Sequence, residues 1–191
     1  MDKILKTFLK ATEKEYEEGI KWYPNAYNFA LSLNSDVRKS AGVIAALSPR
    51  QKWEINKRGA EKIMKAVNNH SSVIPSVGGT YINVDKAWRI ANGENPEEVL
   101  KSSNPKRYYK VRRFYENILG NKDLVTIDYL TAVAAFDNPP SFVGGKLYLE
   151  TEKRFQKIAK SLKIPPRELQ AICWLVERNE KEATTRNDLQ D

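Results

Sequence analysis

Ser40-Ala-Gly-Val-Ile-Ala-Ala-Leu47 is followed at once by Ser48-Pro49-Arg50-Gln51, and this segment is the most telling in the chain. Its first part is small or apolar on every side, which a helix tolerates only when other helices surround it. It is therefore expected to be the central helix of an all-α protein. Ser48-Pro49-Arg50-Gln51 carries the chemistry of a helix start, with Ser48 as N-cap, Pro49 at the first helical position and Gln51 closing a capping box. The helix that follows presents Trp53, Ala60, Ile63, Met64 and Val67 on one face, with the amide of Asn56 among them.

Toward the N-terminus, Ile4, Leu5, Phe8, Leu9 and Tyr16 share one face of a first helix, which Gly19 and Pro24 are expected to end before a second over 25–33. Toward the C-terminus, residues 68–83 are rich in Asn, Ser, Gly and Pro and read as a loop. Short helices near 84–91 and 96–101 and a longer one over 105–119 follow, the last stopped by Gly120-Asn121. Leu124-Val-Thr-Ile127 is the β-like stretch, and it leads into Asp128 and a small apolar run over 131–136. Two final helices carry Leu149, Phe155, Ile158 and Leu162, then Leu169, Ile172, Cys173 and Val176, with Pro165-Pro166 between them. The expectation is one compact multi-helix domain over 1–179 and a polar, flexible tail over 180–191.

Composition narrows the chemistry. A chain of 191 residues with 41% hydrophobic side chains can fill a core of its own. No apolar run approaches the roughly 18 residues of a membrane span, and residues 1–10 place charges where a signal peptide needs an apolar core. A cytoplasmic protein with no membrane partner is expected. One cysteine, Cys173, and one histidine, His70, make neither a disulfide nor a metal-ligand cluster, so no metal is expected. Walker and dinucleotide fingerprints do not occur, and no cofactor is expected. Catalysis must then rest on carboxylates, lysines and hydroxyls.

The net charge of +8 is concentrated. Residues 101–113 hold Lys101, Lys106, Arg107, Lys110, Arg112 and Arg113 without an acid, with Tyr108 and Tyr109 between them. A second group is Arg50, Lys52, Lys57 and Arg58. Basic side chains interleaved with aromatics suit phosphate neutralisation and base stacking, and a solvated helix face is the alternative. The absence of neighbouring acids favours nucleic acid, with Arg50, Lys52, Lys106, Arg107, Arg112 and Arg113 as its contacts. A single domain this basic is expected to act as a monomer.

Three features recur in a fixed order: SAGVIAALSPRQKWEINKRGAEKI over 40–63, a basic segment carrying Lys110, and VTIDYLTAVAAF over 125–136, in which Asp128 lies 18 positions after Lys110. That order resembles the helix-hairpin-helix superfamily of DNA glycosylases, with its "LLSAQ"-like turn, its lysine in the hairpin region and its catalytic aspartate in a "V-D-T-H"-like string. The resemblance covers about residues 40–136, with IPPRELQAICWL as a closing helix. The hairpin is degenerate, because Pro105-Lys-Arg-Tyr-Tyr109 stands where the family has Gly-x-Gly, so phosphate binding falls to side chains. The pattern looks closer to divergent phage and bacterial relatives, which include pyrophosphorylase-like enzymes of thymidine hypermodification and glycosylases acting on modified phage bases.

What the resemblance implies is a monofunctional glycosylase that flips out a modified base and excises it. An N-glycosidic bond breaks with oxocarbenium character on the sugar, which a nearby carboxylate stabilises. Asp128 takes that role; its local sequence alone favours a plain N-cap, and the resemblance reverses that order. Lys110 either attacks C1′ as a neutral amine or contacts a phosphate, and the second is preferred. Gln51, Trp53, Asn56 and Tyr129 would line the base pocket. For Trp53 the alternative is a core position, and for Asn56 a structural hydrogen bond to a neighbouring helix. Two other functions fit the same scaffold: a hypermodification enzyme that replaces an activated group on a thymine substituent, and a non-catalytic DNA-binding protein.

Overall fold

A computed structural model describes residues 1–101 and 109–187 of the chain, with side chains to 185. The described residues form ten helices and no strand: α1 (Lys3–Leu9), α2 (Glu13–Leu33), α3 (Val37–Leu47), α4 (Trp53–Asn68), α5 (Tyr81–Ala91), α6 (Pro96–Val99), α7 (Tyr109–Ile118), α8 (Tyr129–Ala135), α9 (Gly145–Leu162) and α10 (Pro166–Asn187). None of them is long and apolar enough to cross a membrane. Their contacts sort into two compact units, one of residues 1–24 and 121–191, the other of residues 25–120.

The unit over 25–120 is built on α3, as the sequence predicts. Every residue over 40–47 is buried, and α4, α5, α6 and α7 all pack on this helix. Gly42 is the reason α5 and α6 come so near. A β-carbon there would lie 2.9 Å from Pro96 Cβ and 3.0 Å from Ile90 Cγ2, closer than carbon atoms approach.

Ser48-Pro49-Arg50-Gln51 does not start a helix. Ser48 is the C-cap of α3, its hydroxyl donating to Ala45 O at 2.8 Å, and Gln51 N closes a turn onto Ser48 O at 3.2 Å. Arg50 sits in left-handed backbone at φ 62, which no α-helix admits, so α4 begins only at Trp53.

The unit over 1–24 and 121–191 gathers α1, the start of α2, α8, α9 and α10. Its core holds Ile4, Phe155, Leu169, Ile172 and Cys173, all fully buried. Burial pushes the Cys173 thiol well above its ordinary value, which leaves it protonated and unreactive.

The first two helices divide elsewhere than expected. The break falls after Leu9, and α2 starts with a reciprocal capping box: Glu15 Oε2 accepts from Thr12 N at 2.9 Å and Thr12 Oγ1 accepts from Glu15 N at 3.2 Å. The helix then runs through Gly19 and Pro24. Pro24 forfeits one backbone bond but fits because buried Tyr23 before it and Ala26 and Ala30 after it hold the helix by packing. Gly19 is a contact point rather than a stop, since a β-carbon would fall 2.4 Å from Ile172 Cγ1 and 2.9 Å from Ile172 Cα of α10. At the other end α10 continues past 179 to Asn187.

Candidate functional site

Residues 124–127 lack a strand partner among the described residues, yet Val125, Thr126 and Ile127 are buried. Buried backbone groups must be paired. Side chains of α9 do this: Glu152 Oε1 accepts from Val125 N at 2.9 Å, while Tyr148 Oη accepts from Ile127 N at 2.9 Å and donates to Val125 O at 2.7 Å. The segment that precedes Asp128 is thus rigid without a sheet.

Asp128 is the N-cap of α8 and is half-buried. Its Oδ1 accepts from Thr131 N at 2.8 Å and from Thr131 Oγ1 at 2.9 Å. Its Oδ2 accepts from the indole Nε1 of Trp174 at 2.8 Å. A carboxylate offers about four lone-pair positions, so three are filled by protein donors and one, on Oδ2, is left for water or a ligand.

Behind Thr131 runs a buried chain of donors. Tyr23 Oη donates to Gln170 Oε1 at 2.9 Å, and Gln170 Nε2 donates to Thr131 Oγ1 at 3.0 Å. The Thr131 proton then goes to the carboxylate at 2.9 Å rather than to Thr126 O at 3.3 Å, because the charged acceptor is the stronger one. Thr131, Gln170 and Tyr23 are all at most 4% exposed. Burial, reinforced by the nearby charge of Asp128, pushes the Tyr23 phenol far above its ordinary value and keeps it a donor. Arg167, buried over the Tyr23 ring at 5.3 Å, has its guanidinium pulled below its ordinary value by that burial.

Further side chains neighbour Trp174 and Tyr129. Trp174 meets the edge of Trp22 at 6.1 Å, and the Arg178 guanidinium lies 5.1 Å above the Trp174 ring. Tyr129 is 54% exposed, with Lys181 Nζ 5.7 Å from its ring.

The other sequence-derived residues that the structure describes lie in the unit over 25–120. Arg50 and Lys52 are exposed, and half-buried Gln51 packs against Gly78. Half-buried Trp53 stands in an aromatic cluster with Phe29 at 5.9 Å and Phe114 at 6.5 Å, covered by Lys57 Nζ at 5.7 Å. Asn56 is buried, and its Nδ2 donates to Ile44 O of α3 at 3.1 Å. Its Oδ1 meets no donor among the described residues.

Lys110 is half-buried on α7. Arg112 and Arg113 are paired with Glu116, at 2.6 and 3.7 Å, and stack on Tyr115 and Tyr109. Glu116 therefore supplies the acid that residues 101–113 lack. Lys106, Arg107 and the degenerate hairpin over 105–108 lie outside the described residues. Elsewhere in this unit Glu97 accepts from Tyr115 Oη at 2.7 Å and from Arg38 at 2.6 Å.

Within the unit over 1–24 and 121–191, the structure brings Asp128 together with side chains that sequence reasoning missed. Gln170 and Trp174 sit four residues apart on α10, one step round the helix from the apolar face of Leu169, Ile172, Cys173 and Val176. Their spacing is legible in the sequence, but a stripe beside an apolar face signals a site only once its opposite number is known.

What these residues define is an all-α protein with one half-buried aspartate held by donors from two helices. Residues 1–181 match the "Family of unknown function (DUF7178)", and the chain belongs to that family. No curated protein and no solved structure matches it.

Proposed function

We propose that the protein is a DNA glycosylase-like enzyme that excises a modified base, with Asp128 as the catalytic carboxylate. One observation carries the reading: Asp128 is clamped by three donors, half-exposed, and keeps one free lone pair on Oδ2. An N-cap needs only Oδ1. A second donor set from another helix, aimed at Oδ2, is what a carboxylate needs when its orientation matters.

The chemistry follows from that geometry. As the bond from C1′ to the base nitrogen breaks, the base takes the electron pair and positive charge grows on the sugar, which the Asp128 carboxylate stabilises. Water then adds to C1′, and its proton passes to the open lone pair of Oδ2 and on to solvent. The product is an abasic site. Exposed Arg50 and Lys52 are suited to phosphate contacts, and Lys110 is read as another rather than as a nucleophile. Tyr129, exposed beside Asp128, is suited to stack on an extruded base.

The test uses phage DNA carrying bulky 5-substituted pyrimidines beside unmodified DNA, with alkali-labile sites counted for the wild type and for Asp128→Asn. Abasic sites that require both the modification and Asp128 are expected, with the variant slower by about 10²- to 10⁴-fold and its DNA affinity unchanged. An altered base without an abasic site would replace the reading with a hypermodification enzyme. Binding with no chemistry on any substrate would replace it with a DNA-binding protein.

A further inference from the structure

The geometry points to Trp174 as a positioning residue: its indole N–H fixes which lone pair of Asp128 Oδ2 faces the reacting sugar and water. This rests on the glycosylase reading of Asp128, and it assigns to a tryptophan on α10 a role in the rate of the chemical step.

Thr131 alone leaves the carboxylate incompletely specified. Both of its bonds go to Oδ1, and together they satisfy the helix cap. Rotation of the carboxylate plane about that anchor would swing Oδ2, the oxygen with the open position. The indole stops this swing with a bond of 2.8 Å to the charged oxygen. An indole has a single donor and no acceptor, so its bond to the carboxylate can form in one sense only.

The ring itself is locked. Trp22 packs on it edge-to-face at 6.1 Å and 65°, and the Arg178 guanidinium covers a face at 5.1 Å. Gln170, Trp174 and Arg178 follow one another at intervals of four residues on α10, so a single helix face sets Thr131 through Gln170 and Oδ2 through Trp174. Trp174 is half-buried, so water could serve its N–H, yet the N–H is committed to the charged oxygen of Asp128.

The experiment compares single-turnover base release and DNA affinity for the wild type, Trp174→Phe, and two variants in which Trp174 is replaced by near-isosteres. Benzothienylalanine keeps the ring shape and exchanges the N–H for sulfur; 7-azatryptophan keeps the N–H. Loss of the donor is expected to slow the chemical step by about 10- to 100-fold, as a reacting group misplaced by a fraction of an ångström does. Affinity for DNA should stay within about twofold, and 7-azatryptophan should restore most of the rate.

If Trp174→Phe fails to fold, the benzothienyl variant decides alone. Full single-turnover rate without the N–H overturns the inference and leaves the glycosylase reading standing. A wild type that releases no base from modified DNA overturns both, so the wild-type rate itself tells the two failures apart.

Discussion

Thr131→Val tests the network behind Asp128 while leaving the aspartate itself in place. Valine matches threonine in shape, so packing is preserved and only the hydroxyl is lost. Thr131 is fully buried, and its hydroxyl both donates to Asp128 Oδ1 and accepts from Gln170 Nε2. The variant leaves a buried amide donor without an acceptor, at about 1–3 kcal/mol. The carboxylate also loses a charge-assisted bond, a loss that water partly offsets at half-buried Asp128, for about 1 kcal/mol more.

The sum of about 2–4 kcal/mol corresponds to a melting temperature lower by roughly 4–16 °C for a chain of this size. Thr131→Ser keeps the hydroxyl and should cost only about 1 kcal/mol for the missing methyl. Denaturant titration of Thr131→Val, Gln170→Leu and the double variant completes a cycle, in which the pair should couple by at least 1 kcal/mol. A valine variant within 0.5 kcal/mol of wild type, or a coupling near zero, would refute the network.

Two further outcomes follow from packing and charge. Gly19→Ala gains about 1 kcal/mol of helix propensity but drives a β-carbon to 2.4 Å from Ile172 Cγ1 and 2.9 Å from its backbone, which cannot rotate away. Overpacking wins, and chemical denaturation should show a net loss of about 1–2 kcal/mol; a stabilised variant would contradict the contact. At Glu97, burial works against the charge, but the hydrogen bonds from Tyr115 and Arg38 outweigh it and hold the carboxyl below its ordinary value of 4.5. A depressed folded-state value gives stability that is present above pH 4.5 and lost as the pH falls through that lower value. The melting-temperature gap between wild type and Glu97→Gln should therefore narrow on acidification below pH 4.5, and a gap that widens there would rule out the linkage.

Much of the helical layout was legible because it depends on local pattern. The run over 40–47 could only be buried, and it is the hub of the unit over 25–120. The Thr12 to Glu15 capping box is equally present in the sequence, but Gly19 and Pro24 are the stronger local stop signals. Backbone preference alone would end the helix at either residue, whereas packing decides: Gly19 makes room for Ile172, and Pro24 is carried by the buried residues on either side. Ser48-Pro49-Arg50-Gln51 has the composition of a helix start, and the left-handed backbone at Arg50 makes it a turn instead.

An all-α chain, the burial of the central helix and the position of Asp128 as an N-cap are all written in local pattern, because helix periodicity and capping are governed by residues within a few positions of one another. What faces that aspartate depends instead on how distant helices pack. Tyr23, Gln170 and Trp174 reach Thr131 and Asp128 from 39 or more positions away in the chain, and no local rule relates residues so far apart. The same holds for residues 124–127, whose β-like composition met no strand among the described residues and was satisfied by Tyr148 and Glu152 of α9. Backbone groups and carboxylates specify that they must be paired, but the fold chooses the partner.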